Sequence, residues 1–223
     1  MTFGLDSLIN DPLRFLAGAL ALVLSIGYHE FSHVFAAYSL GDMTGKNVGR
    51  LTLNPLKHLD PVGTMLIFLG AFIGWGRPAP FNPENLRYRR YGSALVALGG
   101  PASNLLLFAV FSLLLHWVYP TFGPTNLLTV FLGFFVLINA SLLLFNLIPL
   151  PPLDGSWLLL ALLPASARPL KEFIGRYGLF ILFGLIIADF AFGIRLISPY
   201  LVNGVQFLSN AFGVTHFLNN ILL

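Results

Sequence analysis

His29-Glu30-Phe31-Ser32-His33 is a stretch of this sequence that can do chemistry on its own. Two histidines at i and i+4 lie one turn apart on one face of a helix. From there both imidazoles reach a single Zn²⁺ at about 2.0–2.1 Å. The Glu between them stands beside such a metal and can take a proton from water activated there. The surroundings give the motif weight. The chain of 223 residues holds five His and only nine Asp plus Glu, so the pattern does not follow from an abundance of its letters. It also lies near the end of a long apolar run, where ionisable groups are costly and mostly functional. Two histidines packed in a helix would be the plainer reading, but nothing nearby on that helix offers Glu30 a basic partner.

A catalytic zinc site commonly uses three protein ligands plus water. The chain has no cysteine, so the third ligand must be another His or a carboxylate. Asp154 stands out. It follows Asn146-Leu-Ile-Pro-Leu-Pro-Pro-Leu and precedes Gly155. Prolines there remove backbone donors and break an apolar helix. Unwound backbone at membrane depth is tolerated only where protein or a polar cavity covers it. A carboxylate in such a place needs a partner, and a metal would serve. Asp154 is also a good N-cap for the apolar helix that follows, and both roles can hold together.

The elements that must position these residues are long and apolar. The chain is 57% hydrophobic and 9% charged, against about a quarter charged in a soluble domain. Its mean hydropathy is +0.82. The bilayer is therefore its solvent, and one bundle accounts for the length. The first apolar segment, Leu13 to Leu40, exceeds what a ~30 Å hydrocarbon core requires. It is also too long and too polar for a cleaved leader. Further spans are expected at Ala94 to Val118, at Asn126 to Leu147, and at Gly178 to Phe192. Tyr200 to Leu223 reads as a fifth span or an interfacial helix. Val62 to Trp75 is short for a span and fits a re-entrant element. The expected fold is thus an all-α polytopic membrane protein, a bundle of about 4–6 helices. A short re-entrant or β-containing segment separates its first two main spans.

Charge supports this topology. If Val62 to Trp75 dips in and returns, ten of the twelve Lys and Arg fall on one side. That side is then cytoplasmic by the positive-inside pattern, and the N-terminus lies outside. His33 and Asp154 come to similar depth, nearer the inner face. The expected organisation is a single domain over 1–223, with a catalytic core at 13–165 and C-terminal helices over 176–223.

The two motifs together resemble the site-2 protease family of intramembrane metalloproteases. That family carries H-E-x-x-H on one membrane helix and N-x-x-P-x-P-P-x-D-G on another. His29 to His33 and Asn146 to Gly155 match both without departure. Gly100-Pro-Ala-Ser-Asn104 matches a third family feature. The stretch Asn54 to Pro61 is similar to that of minimal-core bacterial members, and no PDZ or CBS insertion is visible. The resemblance implies one Zn²⁺ per chain, held by His29, His33 and Asp154, with Glu30 as general base. It implies that Asn146 helps to polarise the scissile carbonyl or to hold the oxyanion. The implied partner is a membrane protein substrate with a single span, within a bacterial plasma (inner) membrane; no nucleic acid is involved. Asn104 is expected to shape a tight helix contact with Gly99 and Gly100. His58, beside Asp60, is a minor candidate for the site. His116 and His216 are expected to anchor segment ends at the interface.

Two other classes compete. A metal- or proton-coupled transporter also uses broken helices and buried ionisable groups, but paired-halves symmetry is missing here. A catalytically inactive zinc-binding membrane protein would not need Glu30.

Overall fold

The computed structural model describes residues 9–68 and 76–222. Asp11 starts the first long helix, accepting from the Arg14 backbone N–H at 3.1 Å. Pro12 takes the first helical position, where no N–H is needed. Helix α1 runs Pro12–Ser39. The short α2 (Thr44–Asn47) and α3 (Pro61–Phe68) follow. Then come α4 (Gly92–Phe122), α5 (Leu127–Asn146), α6 (Asp154–Leu162) and α7 (Arg168–Phe192). Helices α8 (Ile197–Ala211) and α9 (Thr215–Leu222) complete the described chain. The protein is an all-α polytopic membrane protein. Among the described residues four helical stretches are long and apolar enough to cross a bilayer: Pro12–Ser39, Gly92–Phe122, Leu127–Asn146 and Ala165–Phe192.

Helices α1, α4 and α5 form the central bundle. Ala17, Ala21, Phe108, Leu115, Val130 and Val136 meet there, and Val214, Leu218 and Ile221 from the chain's end close it. Small residues set the helix spacing, as membrane bundles require. A Cβ on Gly99 would lie 2.8 Å from the Ser32 carbonyl oxygen, so glycine is what lets α4 touch the α1 backbone beside the histidines. The polarity is inverted relative to a soluble domain. Leu16, Leu20, Leu113, Trp117 and Phe180 are exposed, while Ser25, Asn104, Ser112, Thr129 and Asn139 are fully buried. Side chains of the first kind meet lipid; of the second, Ser25, Asn104 and Asn139 bond one another inside the bundle.

Asp42 ties the end of α1 to the proline-rich stretch. Its carboxylate accepts from the Thr44 hydroxyl at 2.6 Å, the Asn82 N–H at 2.9 Å and the Asn85 amide at 2.9 Å. The Leu40 carbonyl adds a bond from the Arg87 N–H. This fastening brings Pro78 to Phe81 over α1.

Several expectations need correction. The helix that holds the fourth span, Gly178 to Phe192, begins earlier, at Arg168. Arg168, Lys171 and Arg176 are helical rather than a loop, because Pro169 fits the first turn and Arg168 pairs with Glu172 at 2.8 Å, one turn on. Tyr200 to Leu223 is not one span. It breaks at Phe212 to Val214, where Gly213 takes φ +68°. The 15 residues of α8 rise only about 22 Å, short of the hydrocarbon thickness. Between α1 and α4 no strand forms among the described residues. There is one antiparallel bridge, Leu59 with Gly76, with the Arg77 N–H donating to the His58 carbonyl at 2.7 Å. The re-entrant reading of Val62 to Trp75 begins in α3, and its part at 69–75 lies outside the described residues.

Candidate metal centre

Helix α1 carries the two histidines on the stripe Ala21, Ser25, His29, His33, each four residues from the last. His29 Nδ1 lies 2.6 Å from Asn104 Oδ1, and His33 Nδ1 lies 2.8 Å from the Val96 carbonyl oxygen. Both partners accept, so both Nδ1 atoms carry the proton and both Nε2 atoms present lone pairs. The Gly100 N–H also approaches His33 Nδ1, at 3.3 Å. The Val96 carbonyl is nearer, at 2.8 Å, and can only accept, so it decides the tautomer.

The third member comes from the break after α5. Helix α5 ends at Asn146, and a turn containing a cis Pro151–Pro152 bond leads into α6. Gly155 lets this turn close tightly: a Cβ there would lie 2.7 Å from the Ile148 carbonyl oxygen and nearer still to that of Leu147. Asp154 is the first residue of α6, the N-cap position belongs to Leu153, and no side chain caps the helix. The capping reading of Asp154 is therefore not realised. Its carboxylate turns to the histidines instead, with Oδ2 3.3 Å from His29 Nε2 and 3.4 Å from His33 Nε2.

The two Nε2 atoms are 3.0 Å apart. Asp154 Oδ2 is shielded from solvent and receives no hydrogen bond. Three acceptors thus converge with no proton between them, an arrangement that is costly unless a cation joins it. Edges of 3.0, 3.3 and 3.4 Å belong to a tetrahedron whose centre is about 2.0 Å from each corner, which is the Zn–N and Zn–O distance. Gly100 keeps the space beside them open, since a Cβ there would stand 2.6 Å from His29 Nε2. The residues fit Zn²⁺ by donor type, number and spacing. Among the described residues this is the one group of three or more His and acidic side chains that can hold a metal.

A cavity of about 290 Å³ opens onto this group. Glu30 and Asn146 line it with the three candidate ligands, and Phe81 and Trp157, packed edge to face with ring centroids 5.8 Å apart, form part of its wall. Glu30 is half-buried, with Gly76 pressed against it: a Cβ on that glycine would lie 3.2 Å from Glu30 Oε1. Asn146 donates one amide hydrogen to the Leu142 carbonyl at 3.0 Å, and an amide has a second to offer.

The other candidates fall elsewhere. His58 is fully buried under the loop, donating from Nε2 to the Thr52 carbonyl at 2.8 Å, and does not line the cavity. Burial holds its imidazole below the ordinary range. Asp60 accepts from the Val62 and Gly63 N–H groups at the start of α3. His116 packs edge-on against Phe217, with ring centroids 5.0 Å apart, and His216 bonds Asn220 at 3.0 Å. Asn104 does more than shape a helix contact, because it holds His29. Its place four residues after Gly100 on a span was the available signal.

Over 186 residues the chain is 39% identical to the Bacillus subtilis (strain 168) protein named "Putative zinc metalloprotease YwhC", an alignment that takes in 80% of this chain and 84% of that relative. The chain belongs to peptidase family M50. A sequence model of that M50 family matches residues 123–188, which hold α5 and Asp154. Two relatives named "Putative zinc metalloprotease Rip2" are more distant. That of Mycolicibacterium smegmatis is 35% identical over 142 residues, 60% of this chain and 52% of the relative. That of Mycobacterium tuberculosis H37Rv is 32% identical over 155 residues, 65% and 58%. No solved structure matches the chain. M50 membership bears out the site-2 protease resemblance, and with it a zinc metalloprotease whose cofactor is Zn²⁺.

Proposed function

We propose that this M50 peptidase is an intramembrane endopeptidase that hydrolyses peptide bonds of membrane-spanning segments. In this reading His29, His33 and Asp154 hold the zinc, Glu30 is the general base and Asn146 orients the scissile carbonyl. The observation that carries it is the convergence of three acceptors from two membrane-embedded elements beside Glu30 in one cavity. When bound, zinc supplies Lewis acidity toward water and toward a peptide carbonyl.

The rest of the chemistry falls to the chain's own side chains. Glu30, beside the ligands on the same helix, receives the water proton and delivers it to the leaving amine. Asn146 offers its second amide hydrogen to the carbonyl oxygen, where charge develops. Asn104 and the Val96 carbonyl keep both imidazoles turned with Nε2 inward. Apolar walls from Ile26, Val96, Leu142 and Phe145 limit bulk water.

In a helical substrate segment each peptide bond is held by internal hydrogen bonds. The segment therefore unwinds before attack and gives up those bonds. The edge near the Leu59–Gly76 bridge offers replacements. The favoured substrate is a single-span protein of the inner membrane. The N-terminus is assigned outside and the site nearer the cytoplasmic face, following the basic residues.

Reconstitution with single-span substrates in liposomes tests this reading. Cleavage is expected inside or at the edge of the substrate's apolar segment, to rise when a helix-breaking residue is placed there, and to stop when a chelator removes zinc. Cleavage confined to soluble peptides, or unaffected by metal removal, would contradict it.

A further inference from the structure

Behind His29 lies a chain of buried polar groups that no catalytic step uses. Asn104 Nδ2 donates to Asn139 Oδ1 at 2.9 Å. Asn139 Nδ2 donates to Ser25 Oγ at 2.8 Å and to the Phe135 carbonyl at 2.8 Å. Ser25 Oγ donates to the Ala21 carbonyl at 2.7 Å. Ser25, Asn104 and Asn139 are all fully buried, and they come from three different spans, α1, α4 and α5.

The direction of these bonds is forced. The Phe135 carbonyl can only accept, so Asn139 must turn its NH₂ toward it. That leaves Asn139 Oδ1 facing Asn104, which must then present its own NH₂. Asn104 Oδ1 is thereby turned to His29, and it can only accept there. His29 must carry its proton on Nδ1, which leaves Nε2 bare beside His33 and Asp154. Amide orientations are ordinarily open to a flip; here a backbone carbonyl three links away removes that freedom.

We propose that Asn104, Asn139 and Ser25 form a one-way hydrogen-bond relay, anchored on the Phe135 carbonyl, that fixes the tautomer of His29 and so sets the protein's zinc affinity. Asn139 is then a positioning residue that touches neither metal nor substrate. The relay also supplies Ser25, Asn104 and Asn139, each buried on a different helix, with their hydrogen-bond partners. The inference rests on the reading of His29 as a zinc ligand.

The test is zinc affinity, measured by chelator competition on the purified full chain, with the visible spectrum of the Co²⁺-substituted protein as a second readout. Removing a group that orients a ligating imidazole typically weakens metal binding about 10–100-fold. That loss is expected for Asn104→Leu, and about tenfold weakening for Asn139→Leu, both with an altered Co²⁺ spectrum. Asn104→Asp keeps an acceptor on His29 but sets a carboxylate oxygen against Asn139 Oδ1, and should recover only part of the loss. Ser112→Ala removes a hydroxyl that is equally buried in α4 but has no link to His29, and should leave affinity unchanged. Wild-type affinity in a folded Asn104→Leu protein would overturn the relay. So would wild-type affinity and spectrum in Asn139→Leu, which also stands as an independent measurement if Asn104→Leu does not assemble. His29→Ala runs beside them: near-complete loss of zinc there upholds the underlying site, so a failure of the Asn variants then falls on the relay alone. Retention of zinc in His29→Ala would overturn the site itself.

Discussion

Glu30→Gln is expected to leave zinc in place and to slow peptide-bond hydrolysis by roughly 10²–10⁴-fold, the span that a positioned general base contributes. The substitution is nearly isosteric and removes only the capacity to take a proton. Glu30 shares helix α1 with His29 and His33, lines the same cavity, and is backed by Gly76. The glutamine therefore has room to occupy the same position. Single-turnover cleavage with zinc content measured on the same sample checks both halves. Activity within tenfold of wild type would remove Glu30 from the chemistry. Loss of zinc together with activity would make it a metal-holding residue instead. The same variant separates a protease from an inactive zinc-binding protein, which would show no difference between the two forms.

Gly100→Ala should be at least as damaging, although it adds a single methyl group. Its Cβ would sit 2.6 Å from His29 Nε2 and closer still to His33 Nε2, within the space the ligand atoms face. Backing α4 away would open the close Gly99–Ser32 contact and pull Asn104 and the Val96 carbonyl off the imidazoles they hold. Either the imidazoles rotate off their partners or the helices part, and both destroy the cluster. Zinc affinity is expected to fall more than about 100-fold, beyond the loss from removing an orienting partner alone, with cleavage lost in parallel. Gly184→Ala serves as the control. No atom lies within 4 Å of its Cβ position on α7, so it should keep zinc and stabilise the helix by about 0.5–1 kcal/mol. Wild-type zinc binding in Gly100→Ala would mean that the metal does not sit where these nitrogens point.

Much of this arrangement was legible in the amino-acid sequence, for reasons that differ by element. His29, Glu30 and His33 stood out because a span tolerates few ionisable groups. Asp154 stood out because three nearby prolines break an apolar helix at depth, and the structure brings its carboxylate to both histidines. What sequence left open at Asp154, cap or ligand, depended on side-chain direction, which spacing along one helix cannot decide. Asn104 shows the same limit from the other side. Its spacing from Gly100 marked a helix contact, but its bond to His29 crosses between spans, and no single-helix pattern encodes that. Asn139 and Ser25 were not singled out at all, being isolated polar residues in long apolar runs. Arg168, Lys171 and Arg176 hide the start of α7, because a basic stretch before an apolar run resembles a loop between spans. A helix whose first turns emerge from the bilayer can carry Arg168, Lys171 and Arg176 without breaking. The break at Gly213 was hidden by continuous apolar character on both sides. It depends on a left-handed backbone turn rather than on any change in polarity.

The most direct measurement of the central claim is the zinc content of the purified protein, wild type beside Asp154→Ala. One zinc per chain in the wild type, sharply reduced in the variant, is the expected result. It would establish that the carboxylate from the α5–α6 break completes the site begun by His29 and His33. Full zinc retained in Asp154→Ala would contradict it and require a third ligand other than the one the geometry brings within 3.4 Å of both histidines.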